Sequence, residues 1–309
     1  PSKLLKFPYS PNVRGTIVKT ASELGLHGCP HDTEVLFLPV IGGFVGGDTV
    51  AAMAAEGMLS QPERTLLIDI GTNGETVLKA SGHMYACSAA AGPAFEGAQI
   101  SCGMRCTEGA VYKAELKNGC PVYHVTGDVK ATGRCGSGLI DIVFMLRNAG
   151  VIGKDGTFTK TSDMPDAFSS SMRISPEGKR LLLLTGGIYI TQDDIRQLQL
   201  AKSAVRTCIK LLCSRAGISE DSIVKILAAG AFGSFLDPVS AEGIGMLPEG
   251  SHAITVQCGN SALKGAEAAA FDPEIIKTYT GVIKDMQFTD TGAYPDFQKT
   301  FTENMDFPN

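Results

Sequence analysis

Three times in this chain an apolar run of strand length drives into a glycine-rich loop: "DIGTNGE" (69–75), "AAGAFGS" (228–234) and "QCGNSALKG" (257–265). No other feature constrains the fold as much. Apolar runs bounded by glycine read as buried strands. Strands that alternate with helical stretches build a mixed sheet with helices on its faces, and ligand crevices open at the strand carboxyl ends. Glycine at such an end lets the backbone approach phosphate oxygens with no Cβ in the way. The first loop taken alone reads more simply as a hairpin turn, because Asn73-Gly74 is among the strongest short hairpin signals. The three loops together point to a nucleotide site. In that reading Asp69 stands near a Mg2+ or its waters. The amides of Gly71, Thr72, Asn73 and Gly74 face the β- and γ-phosphates, with the Thr72 hydroxyl beside them.

The other elements follow from pattern. Residues 34–41 read as a buried strand, 42–47 as a glycine loop, and Asp48 as the N-cap of a helix running to about Met58. Strands are expected at 65–70, 75–80 and 83–89, turning first at Asn73-Gly74, and a second hairpin turns at Asn118-Gly119. "GRCGSGLIDIVFMLRNAGVI" predicts a glycine loop feeding a helix over 138–148, closed by Gly150. Residues 153–180 read as a polar excursion ending in a short hairpin. The clearest helix starts at a capping box, Thr191 with Asp194. It carries a stripe of Ile195, Leu198, Ala201, Val205, Ile209 and Leu212 and ends at Gly217.

Composition excludes several function classes. The net charge of −5, without a basic run, argues against binding the phosphate backbone of nucleic acid. No apolar segment approaches the roughly 20 residues of a membrane helix. The nine cysteines are odd in number, lie mostly in apolar runs and form no C-x-x-C pair. They read as reduced thiols of a cytoplasmic protein rather than disulfides or zinc and iron–sulfur ligands. "EGKR" and "IGKD" lack the Ser or Thr of a Walker A loop, "GIGMLPEG" misplaces the third glycine of a dinucleotide fingerprint, and no G-x-S-x-G elbow is present. The opening "PSKLLKFPYSPNVRG" has no initiator Met and no strand-like start, and is expected to lie inside a longer protein.

"LLIDIGTNGETVL" resembles the second phosphate hairpin of the acetate and sugar kinase, heat-shock-70 and actin superfamily. "ILAAGAFGSFLDPVSAEGIGMLP" resembles its adenosine motif, and "GNSALKGAEAAA" its second connecting helix. More narrowly, "LPVIGGFVGGDTVAA", "AAGPAFEGAQISCGM", "GRCGSGLIDIV" and "ITQDDIRQLQLAKSAVR", with those loops, are similar in collinear order over about 10–270 to the ATP-dependent reductive activators of corrinoid proteins. The resemblance implies an α/β fold, a ribonuclease-H-like actin/heat-shock-70-type ATPase lobe with a mixed sheet and flanking helices. It implies that ATP turnover drives a corrinoid protein from Co(II) to Co(I) in anaerobic methyl transfer such as O-demethylation. The electron is expected from a [2Fe-2S] cluster on an N-terminal domain absent from this chain. By position, Asp69 matches the aspartate that handles Mg2+ through water or orients the attacking water, and Gly71 to Gly74 match the phosphate loop. Gly230, Gly233 and Ser234 match the adenosine turn. Glu75 and Glu96 are further acids in suitable loops; a plainer role for Glu96 is to cap nearby amides.

The resemblance divides the chain into 1–60, the rest of a first lobe with its connecting helix; 61–260, the second lobe with hairpin and adenosine motif; and 261–309, a connecting helix and tail. A first hairpin is then expected upstream of residue 1, which puts independent ATPase activity of this chain in doubt. The expected partners are ATP, a corrinoid protein and a second copy in a homodimer, with no nucleic acid and no membrane. The alternatives are a docking or dimerisation module without ATPase activity of its own, and a small-molecule kinase on the same scaffold. His27, Cys29 and His31 in "HGCPH", and the pair Cys102 and Cys106, read as loop and packing residues ahead of metal or redox ligands. Asp193, Asp194 and Arg196 read as a helix cap and solvated face.

Overall fold

The computed structural model describes residues 5–6, 10–11, 15–230 and 235–309. Two antiparallel ribbons come first, β1 (Leu5–Lys6) with β2 (Ser10–Pro11) and β3 (Ile17–Thr20) with β4 (Glu34–Phe37). Helix α1 (Gly47–Ala55) leads into β5 (Thr65–Ile70), β6 (Asn73–Ala80) and β7 (His83–Ala90), an antiparallel meander. A second sheet joins β8 (Ala110–Lys117), β9 (Cys120–Val125) and β10 (Gly133–Arg134), and runs directly into α2 (Gly136–Asn148). After α3 (Asp166–Ser169), a third sheet of β11 (Met172–Ile174), β12 (Arg180–Leu183) and β13 (Tyr189–Thr191) feeds α4 (Gln192–Ala216). The chain closes with β14 (Lys225–Ala229), α5 (Pro238–Gly243), β15 (Thr255–Gly259), α6 (Ser261–Phe271), α7 (Glu274–Ile283), β16 (Gln287–Phe288) and α8 (Phe297–Glu303).

The central sheet has the order β15-β14-β5-β6-β7-β16, with β14 parallel to β5 and β15 and the meander antiparallel. It is the expected mixed sheet. Its inner strands bury both faces. Leu66, Ile68 and Ile70 of β5 join one core with Leu139 of α2 and Val205 of α4, while Leu67 joins the other with Val50 and Met53 of α1. Every member of the expected α4 stripe is wholly buried. At the start of α4 both bonds of the capping box form, and Gly217 ends it in the left-handed region. Helices α1 and α6 cross so closely that a Cβ on Gly265 would overlap the Ala51 carbonyl.

Three local expectations need correction. Residues 34–41 extend only to Phe37, after which the chain loops through a Gly42–Val45 bridge. Helix α1 is capped by Gly46 rather than Asp48 and ends at Ala55 rather than Met58; Asp48 lies inside its first turn, where it still complements the helix dipole. The reversal between β5 and β6 lies at Gly71–Thr72, not at Asn73-Gly74, because Asn73 and Gly74 already pair with Ala90 and Ala89 of β7. Neither takes a positive φ. At Asn118-Gly119, where no third strand competes, both residues do, with φ 52° and 78°.

Candidate functional site

Alternation along β5 places Asp69 on the same face as Leu67, toward α1, at the strand's carboxyl end. Glu75 lies directly opposite Asp69 on β6, and Ser88 opposite Glu75 on β7, with Ser88 Oγ donating to Glu75 Oε1 at 3.3 Å. Asp48 of α1 is the third acid of this face. Burial first, then repulsion from Asp48, raises the Asp69 carboxyl to about 6. Burial, then Asp48 and Asp69, raises Glu75 to about 7, against the opposing pull of the Ser88 bond. The strand ends thus hold buried acids that repel one another and keep their protons to higher pH than free carboxyls do.

Gly230 follows β14, whose last residue Ala229 pairs with Asp69. Its φ is +94°, and a Cβ there would stand 2.6 Å from Asp69 Oδ1 and from the Ile70 carbonyl oxygen. Only glycine lets that turn pass so close to the aspartate. At the hairpin tip the Gly71 amide donates to the Asn73 carbonyl at 3.0 Å, so it is already satisfied. The Thr72 hydroxyl donates to Glu96 Oε1 at 2.5 Å, and the Gly92 amide donates to the Thr72 carbonyl at 2.9 Å. Gly74 faces away, its Cα against Val205 of α4.

Asp69, Gly71, Thr72, Asn73, Glu75, Glu96 and Gly230 line one cavity of about 760 Å3, which also takes in Asp48, Asn260 and the start of α2. That volume lies within the range of small-molecule sites. Across from the hairpin, Cys135, Gly136 and Ser137 open the 13-residue α2, whose N-terminus no side chain caps; such helix starts suit anions. Gly136 and Gly138 are required by packing, since a Cβ on them would overlap the carbonyls of Phe95 and Val111. At a third wall Asn260 caps α6 through its own Oδ1, which accepts from the Leu263 amide at 3.0 Å.

A nucleotide with Mg2+ fits this donor set. The helix start and glycine turns suit phosphate, and the raised acids suit a hard cation. Among the described residues no cluster of three or more His, Cys, Asp or Glu is arranged to hold a metal directly. His27, Cys29 and His31 are exposed.

Of the residues singled out in the sequence, Asp69, Gly71, Thr72, Asn73, Glu75, Glu96 and Gly230 come together in the cavity. Gly74 stands just behind it. Gly233 and Ser234 lie outside the described residues. Sequence reasoning missed Asp48 and the Cys135–Ser137 turn as lining residues. The second had a signal, since "RCGSG" repeats the pattern of glycines opening a helix. Among the described residues no helix is long and apolar enough to cross a membrane.

Comparison with known proteins shows the family. Residues 63–309 match the family model described as the C-terminal domain of RACo, the ASKHA domain, and residues 1–61 match the RACo middle region. The chain is 36% identical over 283 residues to the corrinoid activation enzyme RamQ of Eubacterium limosum, covering 88% of this chain and 47% of that protein. It is 30% identical over 272 residues to a [Co(II) methylated amine-specific corrinoid protein] reductase of Methanosarcina barkeri, covering 81% and 47%. Among solved structures, a reductive activator for corrinoid, iron-sulfur protein superposes with a TM-score of 0.88 at 28% identity, covering 98% of this chain and 49% of that one. The chain therefore spans about half the length of the relatives it matches. Over most of its length it belongs to the family of RACo C-terminal ASKHA domains, of actin and heat-shock-70 type.

Proposed function

We propose that this chain binds ATP with Mg2+ in the cavity between the β5–β6 hairpin and the start of α2, and that its turnover drives reduction of a corrinoid protein from Co(II) to Co(I). The observation that carries the reading is one cavity in which Asp69 and Glu75 at the strand ends, with Asp48 of α1 beside them, face the start of α2, which no side chain caps. The relatives' printed activities, corrinoid activation and reduction of a Co(II) corrinoid protein, support the substrate class.

In this reading Mg2+ supplies charge neutralisation on the phosphates. Asp69 and Glu75, with Asp48 behind them, hold its waters. Thr72 presents a hydroxyl and the α2 amides take phosphate oxygens. Glu96, already bonded to Thr72, is placed to orient a water at the hairpin tip. Gly230 and the segment carrying Gly233 and Ser234 border the nucleoside. Residues 61–260 carry the hairpin and adenosine turn and 261–309 the connecting helix and tail, with 1–60 ahead of them. The electron enters from a [2Fe-2S] domain outside this chain, in a cytoplasmic homodimer.

Titrating ATP·Mg2+ into the full-length protein and its Asp69→Ala and Gly230→Val variants tests the site. Both substitutions should weaken binding at least tenfold. Unchanged affinity in both would remove the site from the cavity, and phosphorylation of an added metabolite would replace the activator with a kinase.

A further inference from the structure

Arg134 is the bulkiest wholly buried side chain of the described protein, and its charge faces an almost equally buried acid on an element 60 residues away. Its guanidinium meets Asp194 Oδ2 at 2.7 Å and donates to the Tyr189 carbonyl. A bare core packs well without such a pair, and replacing buried ion pairs by apolar residues is often neutral or stabilising. The location of this one shows what it holds.

Asp194 makes contacts in three directions. Its Oδ2 accepts from the Thr191 amide at 2.8 Å, which closes the cap of α4, whose dipole favours the negative charge. Its Oδ1 accepts from the Ser101 amide at 2.6 Å, at the root of the loop whose residues Met104 to Thr107 line the cavity. Its third partner, Arg134, immediately precedes Cys135, Gly136 and Ser137, the cavity-lining start of α2. The two wall segments are also laced together directly. The Arg134 amide donates to the Cys102 carbonyl at 2.8 Å and the Met104 amide donates to the Arg134 carbonyl at 3.0 Å. Gly133 is so close to this loop that a Cβ would lie 2.6 Å from the Cys102 carbonyl oxygen. Further along α4, about 16 Å on at 1.5 Å per residue, Val205 backs Gly74 of the opposite hairpin. One helix thus supports both walls.

We infer that Arg134 and Asp194 are a positioning pair for the nucleotide cavity: they hold the 101–107 loop and the start of α2 at a fixed distance from the Asp69 hairpin. The inference rests on reading the cavity as a nucleotide site. Neither side chain reaches the ligand; each acts through the backbone that does.

The test separates positioning from stability and from the site itself. In the full-length protein, Arg134→Met and Asp194→Leu singly leave a buried charge unpaired and lower the melting temperature. The double variant Arg134→Met/Asp194→Leu removes both charges and should melt within about 5 °C of the wild type. It should nonetheless bind ATP·Mg2+, read by titration, at least tenfold more weakly than the wild type. Its amides at 101–107 and 135–139 should exchange hydrogen faster. Wild-type affinity in the folded double variant overturns the positioning role. Absence of ATP binding in the wild type overturns the nucleotide reading instead. If the double variant does not fold, Asp194→Asn, which keeps the shape but removes the charge facing Arg134 and leaves one acceptor oxygen for the Thr191 and Ser101 amides, decides by the same titration. At least fivefold weaker binding supports the role, and unchanged binding refutes it.

Discussion

The ionised Asp69 carboxylate should destabilise the folded protein, and the structure gives the size of that effect. Burial and Asp48 raise its proton affinity from 3.8 to about 6. A group held above its unfolded value contributes stability while protonated. That contribution is complete below pH 3.8 and is lost as the pH rises through about 6. At 1.36 kcal/mol per unit the ionised form costs on the order of 3 kcal/mol at pH 8, and partial exposure trims this to about 2. Asp69→Asn keeps the shape without the charge, and also relieves Glu75 of one of its repelling neighbours. Without nucleotide and in chelator, the full-length variant should melt about 4 °C above the wild type at pH 8, at roughly 2 °C per kcal/mol for a chain of this size. The gain should shrink to nothing near pH 4. With ATP and Mg2+ the order should reverse, because only the wild type gains the stabilisation of binding. Differential scanning calorimetry across pH 4 to 8.5, with and without ligand, reads both effects. A variant less stable than the wild type at pH 8 without nucleotide would refute the argument that this carboxylate is held under electrostatic strain.

Further consequences follow from other residues. Binding of ATP·Mg2+ should strengthen as the pH rises from about 5.5 and level off near pH 8, because Asp69 and Glu75 must lose protons held to about 6 and about 7; calorimetric titration in buffers of different ionisation enthalpy should show the protons released. Gly265→Ala should cost about 2–3 kcal/mol in urea midpoint analysis, since the added methyl overlaps the Ala51 carbonyl and forces α1 and α6 apart. Lys202, wholly buried, donates to the Asp306 carbonyl and lies 5.2 Å from the Phe307 ring; burial lowers it to about 7. The unfolded chain therefore binds more protons than the folded one between about 7 and 10.5, and stability rises with pH across that window. Lys202→Met should flatten the rise, which chemical denaturation at pH 7 and pH 9.5 would show.

Much of this protein is legible in its sequence because its strongest signals are local. The α4 capping box, the buried stripe behind it, the Asn118-Gly119 turn and the runs of β5 and β7 are each set by residues a few positions apart. Errors arise where a distant partner outvotes the local preference. Asn73-Gly74 carries a turn signal, yet β7 binds it into the sheet and pushes the reversal back to Gly71 and Thr72. Asp48 looks like an N-cap, but Gly46 takes that place, and the carboxylate stands instead beside acids more than 20 residues away. Asp194 illustrates both outcomes. Its cap is visible in four residues of sequence, while its bonds to Ser101 and Arg134 depend on a topology that no local pattern encodes.

The central claim is that nucleotide held at Asp69 drives corrinoid reduction, and one spectrum tests it most directly. Full-length protein, a Co(II) corrinoid protein, a low-potential reductant, Mg2+ and ATP are followed by cobalt absorbance, with Asp69→Asn run alongside. We expect the Co(II) bands to give way to Co(I) only when ATP is added to the wild type, and the variant to leave them in place. Reduction that proceeds without ATP, or at the wild-type rate in the variant, would contradict the account.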